Sequence, residues 1–280
     1  MSNSINTNIK SLMASNALAL NGRAQQTTME SLATGKRINR ASDDAAGLSI
    51  RETMTSQIRG LDAAVRNAND GISLLETADG ALNETSSMLQ RMRELAVLAR
   101  TDTYSSVQKT ALNDEYAQLT SQVNKVAQNT QWNGANILDG TGGPMGSTTA
   151  AFNFQIGANA GDNYDVVIST METSALGSIN GTSIGDASGA SDAISALDLA
   201  LSTLNAQRST IGSAVNRLTH AVDNLTLAAQ TASESRSKVE DTDYAAATSD
   251  LARQQIIQQA ATAILAQANQ QQQSVLSLLK

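Results

Sequence analysis

The sequence predicts a mainly α chain: long antiparallel helices in a coiled-coil-like rod with a small β-hairpin, flanked by paired terminal helices. Three observations carry this. Over residues 194–232, Ile194, Leu197, Leu201, Leu204, Arg208, Ile211, Val215, Leu218, Val222, Leu225, Ala229 and Ala232 follow one another at steps of three and four, and only Arg208 is not apolar. Over residues 61–96, Leu61, Val65, Ala68, Ile72, Leu75, Asp79, Leu82, Ser86, Leu89, Arg93 and Ala96 do the same. The 280 residues hold one proline and only 2% aromatics, so helices run uninterrupted and Ala, Leu, Ile and Val supply the burial. A three-four repeat places a narrow apolar stripe on a helix, and such a stripe must meet a partner helix.

The elements follow in order. Residues 5–32 form an amphipathic helix with Ile9, Met13, Ala17, Leu20 and Ala24 on one face, ended by Gly35. A basic connector (Lys36, Arg37, Arg40) leads to a helix start in which Ser42 caps and Asp43 and Asp44 sit at the positive end of the dipole. That helix reaches residue 99. Gly60, Gly71 and Gly80 lie inside it, where each costs about 1 kcal/mol relative to Ala and calls for a close helix neighbour or a kink. After a break at 104–106, a shorter helix carries Leu112, Tyr116, Leu119, Val123 and Val126.

Trp132-Asn133-Gly134 and Asp139-Gly140 are turn signals. Phe152, Phe154 and Ile156 alternate with polar residues, residues 157–161 form a loop, and residues 164–168 return as a second strand. Residues 171–189 have the texture of an exposed loop, so the middle is expected to be peripheral and replaceable. Ser191 caps the helix with the long repeat, 239–244 is a polar break, and a last helix runs from 245 to the end. On it Ile257, Ala261, Ile264, Ala268, Val275 and Leu279 share a face. The domain reading is 1–35 with 245–280 as a terminal-helix inner domain and 36–43 with 236–244 as connectors. Residues 44–140 with 190–235 form the helical rod, and 141–189 form the hairpin and variable segment.

The chain's chemistry is sparse. A net charge of −7 without a basic, aromatic-interleaved stripe excludes nucleic acid as partner. The absence of Cys removes disulfides and thiolate sites. No stretch approaches ~20 apolar residues, so no membrane insertion is expected. The N-terminal residues lack the pattern of a cleavable signal, so an extracellular chain would leave by another route. His220 is the only histidine and lies off the stripe. No nucleophile stands with a base, so no enzyme activity, catalytic residue, cofactor or metal is expected. Arg91, Arg93 and Glu94 form a charged cluster beside Leu95, which the repeat places off the stripe on an outer contact face.

The motifs SLATGKRINRASDDAAGLSI (31–50), RNANDGISLLETADGALNE (66–84), QRMRELAV (90–97), NTQWNGANILDG (129–140), FQIGANAG (154–161), DTDYAAATSDLARQQIIQQA (241–260) and VLSLLK (275–280) resemble bacterial flagellin. The resemblance implies a secreted subunit that polymerises into the extracellular flagellar filament for motility. In it, paired terminal helices form an inner tube and only a short middle projects outward. It implies export unfolded through the flagellar type III apparatus, with an export chaperone on the C-terminal region and cap and hook-junction proteins as further partners. The assembly residues would be Ile5, Ile9, Met13, Leu20, Ile257, Ile264, Val275, Leu278 and Leu279. Arg91, Leu95 and Glu115 match the footprint of a host flagellin-sensing Toll-like receptor, and their primary role would be contacts between stacked subunits. The alternative is a flagellar hook–filament junction protein, which has similar ends. Both termini, to about residue 35 and from about 245, are expected to order only on polymerisation.

Overall fold

The computed structural model describes residues 8–140 and 151–277, with side chains through residue 271. Among the described residues five helices follow in order: α1 (Ile9–Thr34), α2 (Ala45–Ala99), α3 (Ser106–Asn129), α4 (Ala187–Glu240) and α5 (Tyr244–Ser277). Between α3 and α4 lie two antiparallel strand pairs, β1 (Gln131–Trp132) with β2 (Ala135–Asn136), and β3 (Ala151–Gln155) with β4 (Asn163–Val167). The chain divides into two units. One is Met1–Ser56 with Thr231–Lys280; the other is Gln57–Gln230.

The second unit holds the main core. Along α4 the buried positions are Ala190, Ala193, Leu197, Ala200, Leu204, Gln207, Ile211, Ala214, Leu218 and Leu225. Along α2 they include Leu61, Ala64, Ala68, Leu75, Ala78, Leu82, Thr85, Leu89, Met92, Ala96 and Ala99. Alternate members of both predicted stripes, Leu197, Leu204, Ile211, Leu218 and Leu225 of α4 and Leu61, Ala68, Leu75, Leu82 and Leu89 of α2, are therefore central, but their companions shift by one residue. Alanines fill the seam, while Ile194, Leu201 and Val215 pack only partly buried against it. An alanine lets two backbones approach, and a larger side chain is accommodated at the rim instead.

This shift accounts for the charged members of the stripes. Asp79, Arg93 and Arg208 are rim residues. Arg208 Nε donates to Asp79 Oδ1 at 2.8 Å and Nη2 to Oδ2 at 3.4 Å, while Arg93 Nε donates to Asp198 Oδ1 at 2.6 Å. Two ion pairs thus tie α2 to α4 in a single antiparallel register, and partners of opposite charge disfavour a slipped alignment.

Leu95 corrects the sequence reading. It is fully buried, because α3 packs on that side of α2 and brings Tyr116, Val123 and Ala127 into the same core. The three-helix section needs a wider apolar face than a two-helix seam, so a residue off the α2–α4 stripe is inside. Burial raises the Tyr116 phenol above its ordinary pKa. Its hydroxyl bonds Thr182 Oγ1 at 2.7 Å, and since Thr182 donates to Ile179 O, Tyr116 is the donor.

Helix starts are also corrected. Asp44, not Ser42, caps α2: its Oδ1 accepts from Gly47 N at 2.9 Å. Asp43 turns back to accept from Arg40 N and Asn39 N, and these donors hold its carboxyl below the usual carboxylate range. Asp186, not Ser191, caps α4, accepting from Gly189 N at 2.9 Å. Ser191 lies inside the helix.

The hairpin is as expected, with Phe152 opposite Val166 and Phe154 opposite Tyr164. It, rather than a helix, explains two of the α2 glycines. A Cβ on Gly71 would lie 3.0 Å from the Phe154 ring and one on Gly60 3.1 Å from Ala158, whereas Gly80 faces open space. From α4, Gln207 Nε2 donates to Val167 O at 3.2 Å, and the Arg217 guanidinium lies 4.4 Å from the Tyr164 ring centroid. In the smaller pair, Asn133 and Gly134 both have positive φ (49° and 80°), the turn that an Asn-Gly loop adopts between two strands.

The segment after β4 overturns the expectation of an exposed loop. It is irregular, but Met171, Thr173, Leu176, Ile179 and Ile184 are buried in the main core. Buried backbone needs partners, and α3 supplies them. Asn124 Oδ1 accepts from Thr173 N and Oγ1, and Asn113 Oδ1 accepts from Ser183 Oγ and Ile184 N, all at 2.9 Å. Gly177 (φ 64°) passes so close to α4 that a Cβ there would lie 2.6 Å from Ala196 O.

Candidate assembly surfaces

The first unit contains α1, α5, the connectors, the start of α2 and the end of α4. Asn8 caps α1 and Gly35 (φ 72°) ends it in the left-handed conformation. Asp243 caps α5, its Oδ1 accepting from Ala245 N at 2.9 Å and Ala246 N at 3.2 Å.

α1 and α5 run antiparallel, and their shared seam is polar. On α1 the residues turned inward are Asn8, Ser11, Ala14, Leu18, Asn21, Gln25 and Thr28, a three-four repeat with one large apolar member. Asn8 Nδ2 donates to Ala268 O at 3.1 Å, Asn21 Nδ2 to Gln254 O at 2.8 Å, and Gln254 Nε2 to Thr28 Oγ1 at 3.1 Å. On α5 the seam is lined by Ala247, Ala261 and Ala268, with Leu251 and Leu265 partly buried.

The face of α1 read from the sequence as its apolar face therefore stays largely exposed instead of filling the seam, with Met13 lining a shallow groove beside Ile264 and Ala268 of α5. Met13 is 69% exposed, Leu20 61% and Ile9 56%. Of the α5 stripe, Ala261 and Ala268 enter the seam while Ile264 remains 58% exposed and Ile257 44%. Hydropathy marked the side chains that need cover. It did not mark the intramolecular seam, whose signal is a three-four repeat of Asn, Ser, Thr and Ala that no apolar scan detects. Ile5, Leu278 and Leu279 lie outside the described residues, as does the side chain of Val275.

Arg91 and Glu115 are about half exposed and meet at 3.0 Å, and Arg91 also reaches Glu94 at 3.1 Å. These hydrogen bonds, the one to Glu115 foremost, raise the Arg91 pKa further. Leu95 is fully buried in the core and offers no outer face. Nearby, Gln90, Arg93, Glu94, Val97 and Leu98 line a shallow depression, with Val97 and Leu98 exposed. Among the described residues no group of three or more His, Cys, Asp or Glu could hold a metal ion, and no helix is long and apolar enough to cross a membrane.

Residues 5–142 match the bacterial flagellin N-terminal helical region, and residues 194–279 match the bacterial flagellin C-terminal helical region. The chain belongs to the bacterial flagellin family. It is 41% identical over 277 residues to a flagellin of Halalkalibacterium halodurans, covering 99% of both chains. It is 40% identical over 286 residues to the flagellar filament 33 kDa core protein of Treponema phagedenis, again covering 99% of both. The crystal structure of Bacillus cereus flagellin superposes with a TM-score of 0.51 at 34% identity, covering 57% of this chain and 88% of that one. A putative flagellar hook-associated protein from Vibrio parahaemolyticus superposes with a TM-score of 0.60 over 71% of this chain and 100% of its own. At 11% identity that likeness shows the fold alone. In this flagellin-family chain, the helical regions at both ends are the matched parts, and the segment between them falls outside both.

Proposed function

We propose that this chain is a structural subunit that self-assembles into the bacterial flagellar filament for swimming motility. The observation that carries the reading is the end-to-end match to proteins called flagellin and flagellar filament core protein. The exposed apolar faces of α1 and α5 give it a physical basis. A large side chain such as Ile or Met gains roughly 1.5–3 kcal/mol on full burial, and Ile9, Met13, Leu20, Ile257 and Ile264 obtain little of this within one chain. Copies of the same chain supply the missing cover. The chain acts as an exported building block of the extracellular filament, and its family is a structural one rather than an enzyme family.

The finer assignments extend this reading. Ile5, Val275, Leu278 and Leu279 join the same assembly faces. An export chaperone covers the C-terminal apolar face before polymerisation, and cap and hook-junction proteins meet the growing end. The Arg91–Glu115 pair serves contacts between stacked subunits and is the part a flagellin-sensing Toll-like receptor would read, while Leu95 serves the core.

Electron microscopy of seeded, purified protein tests the proposal. The unaltered chain should extend filaments. The double variant Met13→Ser/Ile264→Ser should fold equally well, because exposed sites move stability by only about 0.5 kcal/mol, yet fail to extend them. Unimpaired growth by that variant would remove the assembly role from these faces.

A further inference from the structure

Among the described residues the methionines divide by exposure. Met92 and Met171 are enclosed in the main core, and Met54 and Met88 are half-buried. Met13 and Met29, both on α1, are exposed, Met13 the more so at 69%. Met13 lines the shallow groove between α1 and α5 together with Lys10, Ala14, Ile264, Gln267 and Ala268, and glutamines complete the lining. The other apolar side chains there are saturated hydrocarbons, and the polar ones are an ammonium and carboxamides. The Met13 thioether is thus the one lining group that a mild oxidant attacks. Its apolar neighbours on α1, Ile9, Leu12 and Leu20, are equally exposed and inert.

A thioether reacts directly with a hydroperoxide. The sulfur lone pair attacks one peroxide oxygen, the O–O bond breaks and an S–O bond forms. With hydrogen peroxide the departing hydroxide takes the proton left on the transferred oxygen and leaves as water. The sulfur gives up two electrons and the peroxide gains them. The product, methionine sulfoxide, is polar where the thioether was apolar and flexible. Buried against apolar side chains without a donor, it carries the cost of any unsatisfied polar group. We propose that Met13 is an oxidation-sensitive modification site: a sulfoxide there keeps the unpolymerised chain out of the filament, and neighbouring copies shield the thioether once the chain has joined. The inference rests on the assembly reading of the α1 and α5 faces. It does not require α1 to be helical beforehand, since an unfolded α1 leaves the sulfur no less open to solvent.

Limited treatment of the full-length soluble chain with hydrogen peroxide, followed by peptide mass analysis, tests the site. Met13 should gain one oxygen faster than Met92 and Met171 by about tenfold or more, and Met13 of seeded filaments should react more slowly than that of the monomer by a similar factor. The oxidised chain should lose seeded growth while its thermal transition stays in place, because the core methionines remain thioethers. Treating it with the two methionine sulfoxide reductases, one for each sulfoxide epimer, should restore growth. Met13→Leu keeps the volume and the apolar character. It should extend filaments both before and after peroxide, although Met1, Met29 and Met145 remain oxidisable. Equal reaction at Met13 and Met92 would overturn the inference. So would undiminished growth of chains oxidised at Met13, or growth lost on peroxide treatment of Met13→Leu. An untreated, unaltered chain that fails to extend filaments would overturn the assembly reading, and the inference with it.

Discussion

Where α2 and α4 face each other within residues 57–230, the buried side chains at every third or fourth position are mostly leucine, isoleucine or alanine, and charge is kept to the rim as Asp79–Arg208 and Arg93–Asp198. Where α1 and α5 face each other, the same spacing carries Asn8, Ser11, Asn21, Thr28 and Gln254, with Leu18, Leu251 and Leu265 only partly buried among them, while Ile9, Met13, Leu20, Ile257 and Ile264 remain exposed. The first arrangement is a finished core. The second leaves its strongest potential contacts unmade. Ordering a residue costs ~1–2 kcal/mol of backbone entropy, and a seam of alanines and amide hydrogen bonds returns little against it: about 0.8 kcal/mol per buried methylene-sized group and about 1 kcal/mol net per hydrogen bond. One spacing rule thus builds a self-sufficient unit in one place and an assembly-dependent one in the other. The difference lies in which face receives the large side chains.

The contrast breaks first at Leu218, which is fully enclosed at the centre of the α4 seam. Leu218→Asp buries an unpaired carboxylate at a cost of several kcal/mol, so the thermal transition of soluble monomer should fall by about 10 °C or more. An unchanged midpoint would mean that this seam is not the core. The buried segment after β4 comes next. Leu176→Ala should destabilise the same transition by about 2–5 kcal/mol in a denaturant titration. A surface loop would show almost nothing. Replacing residues 152–189 with a short turn should consequently cost much of the helical signal in circular dichroism, because those residues complete the core. The glycines sharpen the picture at the smallest scale. Gly80→Ala should stabilise by about 1 kcal/mol, since helix propensity improves and nothing obstructs the new methyl. Gly71→Ala should show a smaller gain or a loss, because the Phe154 ring must move aside.

Legibility followed the size of the side chains. The five helices, the break before α3, the β3–β4 hairpin and the central leucines of both stripes could be read directly, because large apolar residues at steps of three and four leave a strong pattern. Alanine and polar seams leave a weak one, so Ala193, Ala200 and Ala214 were passed over for Ile194, Leu201 and Val215. The three-helix section could not be seen from α2 alone, so Leu95 was placed outside. The segment around Leu176 looked like surface because its composition is Gly, Ser and Thr, and the Asn113 and Asn124 side chains that make its burial possible sit more than forty residues away. Asp44 and Asp186 each lay within reach of the cap rule, but a neighbouring serine offered an equally good signal.

Hydrogen exchange on the soluble monomer, repeated after seeded polymerisation, tests the difference between the two helix pairs most directly. Amides over residues 197–218 of α4 should be protected in both states. Amides over residues 257–265 of α5 should exchange freely in the monomer and become protected only in the filament. Strong protection at residues 257–265 before assembly would contradict the account, since the polar α1–α5 seam would then suffice without neighbours.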